Sequence, residues 1–170
     1  MSGIVHAWNS QCLFGASVIP GIACSRACLK NQSWILEEDM FVSDLRDCVE
    51  CLSYEEYEQQ IQNVMCSGLD NEIQLYMRES KDRWSTDYPC TLSILIKGRQ
   101  AVVNYFSEGN EEMSASIGDL DREDDVRWQI GENDYSVAGY QILSLEKTMQ
   151  CALQFFWRQD KPACIAWEAL

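Results

Sequence analysis

Two cysteine pairs, Cys24-x3-Cys28 and Cys48-x2-Cys51, have spacings at which four thiolates can converge on one tetrahedral zinc ion. The second pair argues against that site. Cys48 and Cys51 fall in a stretch with strand character, where side chains alternate, so an offset of three residues places them on opposite faces. The Gly-rich knuckle usual in such sites is also missing. As reduced thiols these residues serve as small buried hydrophobes. The odd total of nine cysteines fits a reducing compartment, the cytosol, better than a secreted disulfide framework. No metal or cofactor is assigned, and a cysteine/zinc-stabilised regulatory or adaptor domain stands as the second functional reading.

Catalytic apparatus is thin. The one histidine, His6, lies in the least patterned part of the chain, and there is no Gly-x-Ser-x-Gly elbow, phosphate-binding loop or dinucleotide fingerprint. Carboxylates are plentiful, 27 acidic against 13 basic residues for a net charge of -14, so neighbouring acids are expected without a catalytic dyad. The chain is read as a non-enzyme, with a carboxylate-dyad hydrolase as the weakest alternative.

The acid is unevenly placed. Between Glu108 and Asp134 ten carboxylates face only Arg122 and Arg127, a local net charge of -8. A charge run is ordinarily a solvated face. This one lies in a connection between strands, where binding residues concentrate, and is flanked by Met113 and Trp128 as apolar anchors. Its field repels nucleic acid and anionic membranes and steers a basic partner toward it. The spacing over Asp119 to Asp125 lacks the Gly and terminal Glu of a calcium-binding EF-hand loop.

These residues need elements to hold them. Residues 1–39 sustain no period of 2 or 3.6 and read as a poorly defined extension, with one domain over 40–170 and Met40 as an alternative start. Cys12 to Cys24 is apolar like a signal-peptide core, but no Lys or Arg precedes it and Pro20-Gly21 interrupts it. No run approaches the roughly 18 apolar residues of a membrane span. One domain of 170 residues can bury roughly two-thirds of its unfolded surface.

Cys48 to Leu52 reads as a strand. Ser53 and Glu56 form a capping box opening a helix over Tyr54 to Met65, with Tyr54, Tyr57, Ile61, Val64 and Met65 as its apolar stripe and Ser67-Gly68 as its stop. Ile73 to Met77 is a strand, and Arg78 to Tyr88 a polar loop carrying Trp84. Thr91 to Ile96 and Ala101 to Phe106 flank a Gly-containing turn and form a hairpin. Met113 to Ile117 and Val126 to Ile130 alternate as strands, the latter with Val126, Trp128 and Ile130 on one face. Tyr135 to Leu143 is weakly extended. Ser144 caps an amphipathic helix with Leu145, Met149, Ala152, Leu153 and Phe156 on its apolar side, and Ala163 to Trp167 follows Pro162 as a short buried strand. The expected fold is α+β, a mainly antiparallel sheet with two helices packed on one face and the C-terminal helix followed by that buried strand.

The ending carries a resemblance. Thr148 through Phe155-Phe156, the polar turn closed by Lys161-Pro162, and Ile165-x-Trp167-Glu168 are similar to the C-terminus of the first-numbered immunity-protein family of bacterial polymorphic toxin systems. The hairpin TLSILIKGRQAVVNYF and the SEGNEE after it also resemble that family's central strands, so the likeness spans Phe41 to Leu170. Residues 1–39 have no counterpart. The family includes the inhibitor of an interbacterial cytosine deaminase that acts on double-stranded DNA. The resemblance implies a cytosolic protein of contact-dependent or type VI interbacterial competition, without catalytic residues, that covers the basic active-site face of a deaminase or nuclease toxin. On that reading Glu111, Glu112, Asp119, Asp121, Glu123, Asp124 and Asp125 contact the toxin with Trp128 as an anchor, while Trp167 belongs to the core.

Overall fold

A computed structural model describes residues 39–78, 90–107, 109 and 111–170. The extension with His6, Cys24 and Cys28 and most of the loop with Trp84 lie outside them. In chain order the described elements are β1 (Asp39–Ser43), β2 (Cys48–Cys51), α1 (Tyr54–Cys66), β3 (Asn71–Arg78), β4 (Thr91–Lys97) and β5 (Gln100–Phe106). They continue with β6 (Met113–Ile117), β7 (Asp125–Ile130), β8 (Asn133–Ala138), a single 3-10 turn (Gly139–Gln141), β9 (Leu143–Ser144), α2 (Leu145–Arg158) and β10 (Ala166–Ala169). The fold is α+β, as expected.

Seven strands run in the order β10-β6-β5-β4-β3-β1-β2, every pair antiparallel, with β9 joined to β5 and β7-β8 a separate two-stranded ribbon. Strand alternation gives the sheet two apolar faces. Leu92, Ile94 and Ile96 of β4 and Ala101, Val103 and Tyr105 of β5 share a cluster with Tyr57 and Ile61 of α1 and Phe155 and Phe156 of α2, so both helices cover one face. Leu95 and Val102 point the other way and meet Trp128, Ile130 and Val137 of the ribbon and Ile142. A second layer that the strand pattern did not reveal thus closes the back of the sheet.

Helix boundaries follow from local chemistry. The Ser53 hydroxyl accepts from the Glu56 amide at 3.2 Å, and the Glu56 carboxylate accepts in return from the Leu52 amide at 2.8 Å, one residue earlier than in a standard capping box. At the other end the Ser67 hydroxyl donates to the Val64 carbonyl and Gly68 turns the chain at a φ of +69°. Ser144 caps α2, accepting from the Lys147 amide at 3.3 Å. The helix stops before Pro162, where Gln159 adopts a left-handed φ of 52° and its amide donates to the Phe155 carbonyl.

The ending departs from expectation in two ways. The fully buried line of α2 is Thr148, Cys151, Ala152, Phe155 and Phe156, whereas Leu145, Met149 and Leu153 are only partly covered. Thr148 tolerates burial because its hydroxyl donates to the Ser144 carbonyl at 3.0 Å. The closing strand is Ala166–Ala169, not Ala163 to Trp167, and it is an edge strand on β6 with exposed ends and a half-buried middle instead of a buried one. Trp167 accordingly sits at the border of the core, its indole N–H donating to the Pro162 carbonyl at 2.7 Å and its ring edge-on to Tyr105. Cys164 and Ile165 lie in the turn before this strand, where Cys164 meets Cys151 of α2 and Ile165 packs against the main core cluster. Strand β1, absent from the sequence reading, is built in between β2 and β3.

Candidate functional site

The acidic connection leaves β6 at Ile117 and enters β7 at Asp125, and it is fastened at both ends to Gly139–Ile142. At the start the Gly118 amide donates to the Tyr140 carbonyl at 2.6 Å, and the Ser116 hydroxyl donates to the Gln141 carbonyl at 2.7 Å while accepting from the Val103 amide. At the end the Gly139 amide donates to the Asp124 carbonyl at 2.7 Å. Glycine is needed at both places because of close approach. A Cβ at Gly118 would run into the Ile142 carbonyl, and one at Gly139 would lie 2.6 Å from Asp124 backbone and side-chain oxygens.

Inside the loop the short carboxylates build the turn. Asp119 accepts from the Asp121 amide through its side chain and from the Arg122 amide through its carbonyl, both at 3.1 Å. Arg122 folds back on Asp124 with two N–H groups at 3.0 and 3.3 Å, and this pairing holds the Asp124 carboxyl below its ordinary range. Asp121, Glu123 and Asp125 have no ion-pair partner among the described residues. All five acids between 119 and 125 are exposed, as is Leu120 at 71%. The loop is therefore an arch anchored at both ends, with five carboxylates against the single cation Arg122 around one apolar side chain.

Glu111 and Glu112 stand apart. They precede β6, whose five residues at about 3.3 Å each put roughly 17 Å between them and the arch. Glu112 is also occupied, taking an ion pair from Lys161 and a hydrogen bond from the Ser114 hydroxyl, and the Lys161 ammonium lowers its pKa. The seven acids expected to contact one partner are divided by the fold into five and two.

Trp128 corrects the anchor assignment. It is only 2% exposed, buried among Leu95, Val102, Ile130 and Val137, because the ribbon turns the face of Val126, Trp128 and Ile130 onto the sheet. Leu120, which no periodicity singled out, is the apolar group that the arch presents, and Met113 is 40% exposed beside Glu112. Glu168 of β10 joins the supporting structure, accepting from the Tyr140 hydroxyl at 2.8 Å and from the Gln141 side-chain amide at 3.3 Å. That bond pushes the Tyr140 phenol above its ordinary value.

Among the thiols, Cys48 is exposed and Cys51 buried, the opposite orientations expected of a three-residue offset in a strand. Cys24 and Cys28 fall outside the described residues. No described helix is long and apolar enough to cross a membrane. The geometry at the arch is suited to recognition of a cationic surface. Compared with protein-family models and with curated proteins, the chain gives no match to either.

Proposed function

We propose that this chain is an immunity protein that neutralises a cognate bacterial toxin, a deaminase or nuclease with a basic nucleic-acid groove, by occupying that groove. The observation that carries the proposal is the arch itself: five exposed carboxylates between residues 119 and 125, balanced only by Arg122, on a backbone fixed at Gly118 and Gly139. A toxin that grips phosphates presents a positive groove, and an opposed field accelerates the encounter. A rigid loop adds little ordering cost on binding, because its conformation is already set. Leu120 supplies an apolar contact where the sequence reading had placed Trp128. Glu111 and Glu112 form a separate rim contact at most, given the Lys161 pairing. Cytosolic residence and the absence of catalysis belong to the same proposal, supported by the similarity of the C-terminal motif to the immunity family.

The test is co-expression of the chain with any deaminase or nuclease toxin domain encoded beside it. Cells producing both should survive as cells without toxin do. Death at the rate seen with an empty vector would sink the proposal.

A further inference from the structure

Cys151, on the buried side of α2, and Cys164, in the turn that leads to β10, bring their Sγ atoms to 3.2 Å. Both are free thiols. A disulfide needs about 2.05 Å between sulfurs, so roughly 1 Å of side-chain movement separates the pair from a bond. They stand 13 positions apart in the sequence, and the juxtaposition arises only because the chain reverses after α2. The reversal is held in place: the Gln154 side-chain oxygen accepts from the amides of both Ala163 and Cys164.

The two thiols are unequal. Cys151 is fully buried, whereas Cys164 is partly exposed and opens onto a cleft of about 330 Å³ shared with Ile117, Asp119, Ile142 and Lys147. The hydrogen bond shared with Cys151 holds the Cys164 thiol below the ordinary range, with help from its own backbone and the Lys147 ammonium, against a contrary push from burial. The same bond, together with burial, pushes Cys151 well up, so it keeps its proton. Lys147 from α2 and Asp119 from the loop after β6 are the charged groups that face Cys164 across the cleft.

We propose that Cys151 and Cys164 form a hydroperoxide-reactive dithiol, with Cys164 the attacking and Cys151 the resolving sulfur. The Cys164 thiolate attacks one peroxide oxygen; the O–O bond breaks, hydroxide leaves and is protonated to water, and a sulfenic acid forms. Cys151 then attacks the Cys164 sulfur while losing its proton, the S–O bond breaks and a second water leaves. Two thiols are oxidised by two electrons and one hydrogen peroxide is reduced to two waters. The resulting bridge ties the segment before β10 to the middle of α2. This chemistry does not depend on the binding role proposed for the arch.

The full chain, reduced and then exposed to hydrogen peroxide at pH 7, is quenched with an alkylating agent and digested with trypsin without reduction. Cleavage after Lys147 and Arg158, but not between Lys161 and Pro162, should give residues 148–158 linked to residues 159–170, a link that dithiothreitol removes. In Cys151→Ser the Cys164 sulfenic acid should accumulate and be trapped by dimedone. In Cys164→Ser, oxidation at Cys151 should slow roughly tenfold, since the thiolate is the nucleophile. Circular dichroism checks that both variants fold, and the wild-type time course stands without them. Absence of the linked peptide while other cysteines oxidise, or Cys151 oxidation at an unchanged rate in Cys164→Ser, would overturn the proposal.

Discussion

Tyr57 of α1 donates its phenolic hydrogen to the Ala152 carbonyl of α2 across 2.8 Å, in a contact between residues 95 apart that is wholly buried. Burial pushes the phenol well above its ordinary pKa, so it stays a donor at any physiological pH. The ring packs against Phe156 with centroids 4.9 Å apart, which makes Tyr57 both the polar and the apolar join between the helices. Tyr57→Phe keeps the ring and should cost about 1 kcal/mol, whereas Tyr57→Ala should cost about 3 to 5 kcal/mol. Urea unfolding followed by circular dichroism separates the two.

Trp128 belongs to the second apolar layer, and its truncation should act on stability. Trp128→Ala is expected to lower unfolding free energy by about 3 to 5 kcal/mol, because a side chain only 2% exposed leaves a large cavity between ribbon and sheet. Leu120→Ala, at a side chain 71% exposed, should leave the unfolding midpoint unchanged and weaken partner binding instead. The same denaturant titration on both variants checks the contrast.

How much was legible in the sequence depends on whether a feature is local. The caps at Ser53 and Ser144, the hairpin of β4 and β5, and the strand at Met113–Ile117 follow from period and from short-range hydrogen bonding, and all are found. The alternation of Val126, Trp128 and Ile130 likewise marks one face of β7, but what covers that face is not local information. Pairing of β7 with β8, and their placement on the back of the sheet, decide that Trp128 is core. The division of the seven acids has the same origin, since β6 separates residues that are near in sequence. Cys164 and Ile165 suggested a buried strand because apolar turn residues and apolar strand residues look alike over five positions.

Close backbone contacts fix the arch, so small substitutions there should be felt. Gly118→Ala and Gly139→Ala each force a methyl into a carbonyl or carboxylate oxygen, and each should destabilise by about 1 to 3 kcal/mol. Gly98, whose Cβ position is open, can serve as a comparison only for space, since its φ of +60° strains any other residue. Thermal melts of both arch variants, with amide exchange at Gly118 and Gly139, would show the loss of the two anchoring hydrogen bonds.

Acid sensitivity has a defined contributor in Asp160. Its carboxylate accepts from the Lys161 amide at 2.6 Å and from the Tyr105 hydroxyl at 3.0 Å, and these bonds hold its pKa below the ordinary value. A group whose folded pKa is depressed adds stability above its unfolded pKa, near 3.9, and loses it as pH falls through the lower folded value. Stability should therefore decline below about pH 4, and Asp160→Asn should decline less over that interval. Urea midpoints measured between pH 7 and pH 2.5 test the sign.

The central claim is that the 118–125 arch meets a basic toxin. Asp121, Glu123 and Asp125 carry no ion pair among the described residues, so changing these three to Lys reverses the field without touching the bonds of Asp119 and Asp124 that build the loop. The decisive measurement is the association rate constant with a toxin domain that the chain protects against in co-expression, taken at low and high salt. The triple variant should associate at least about tenfold more slowly at low salt and lose most of its salt dependence. An unchanged rate with an unchanged salt slope would contradict the account.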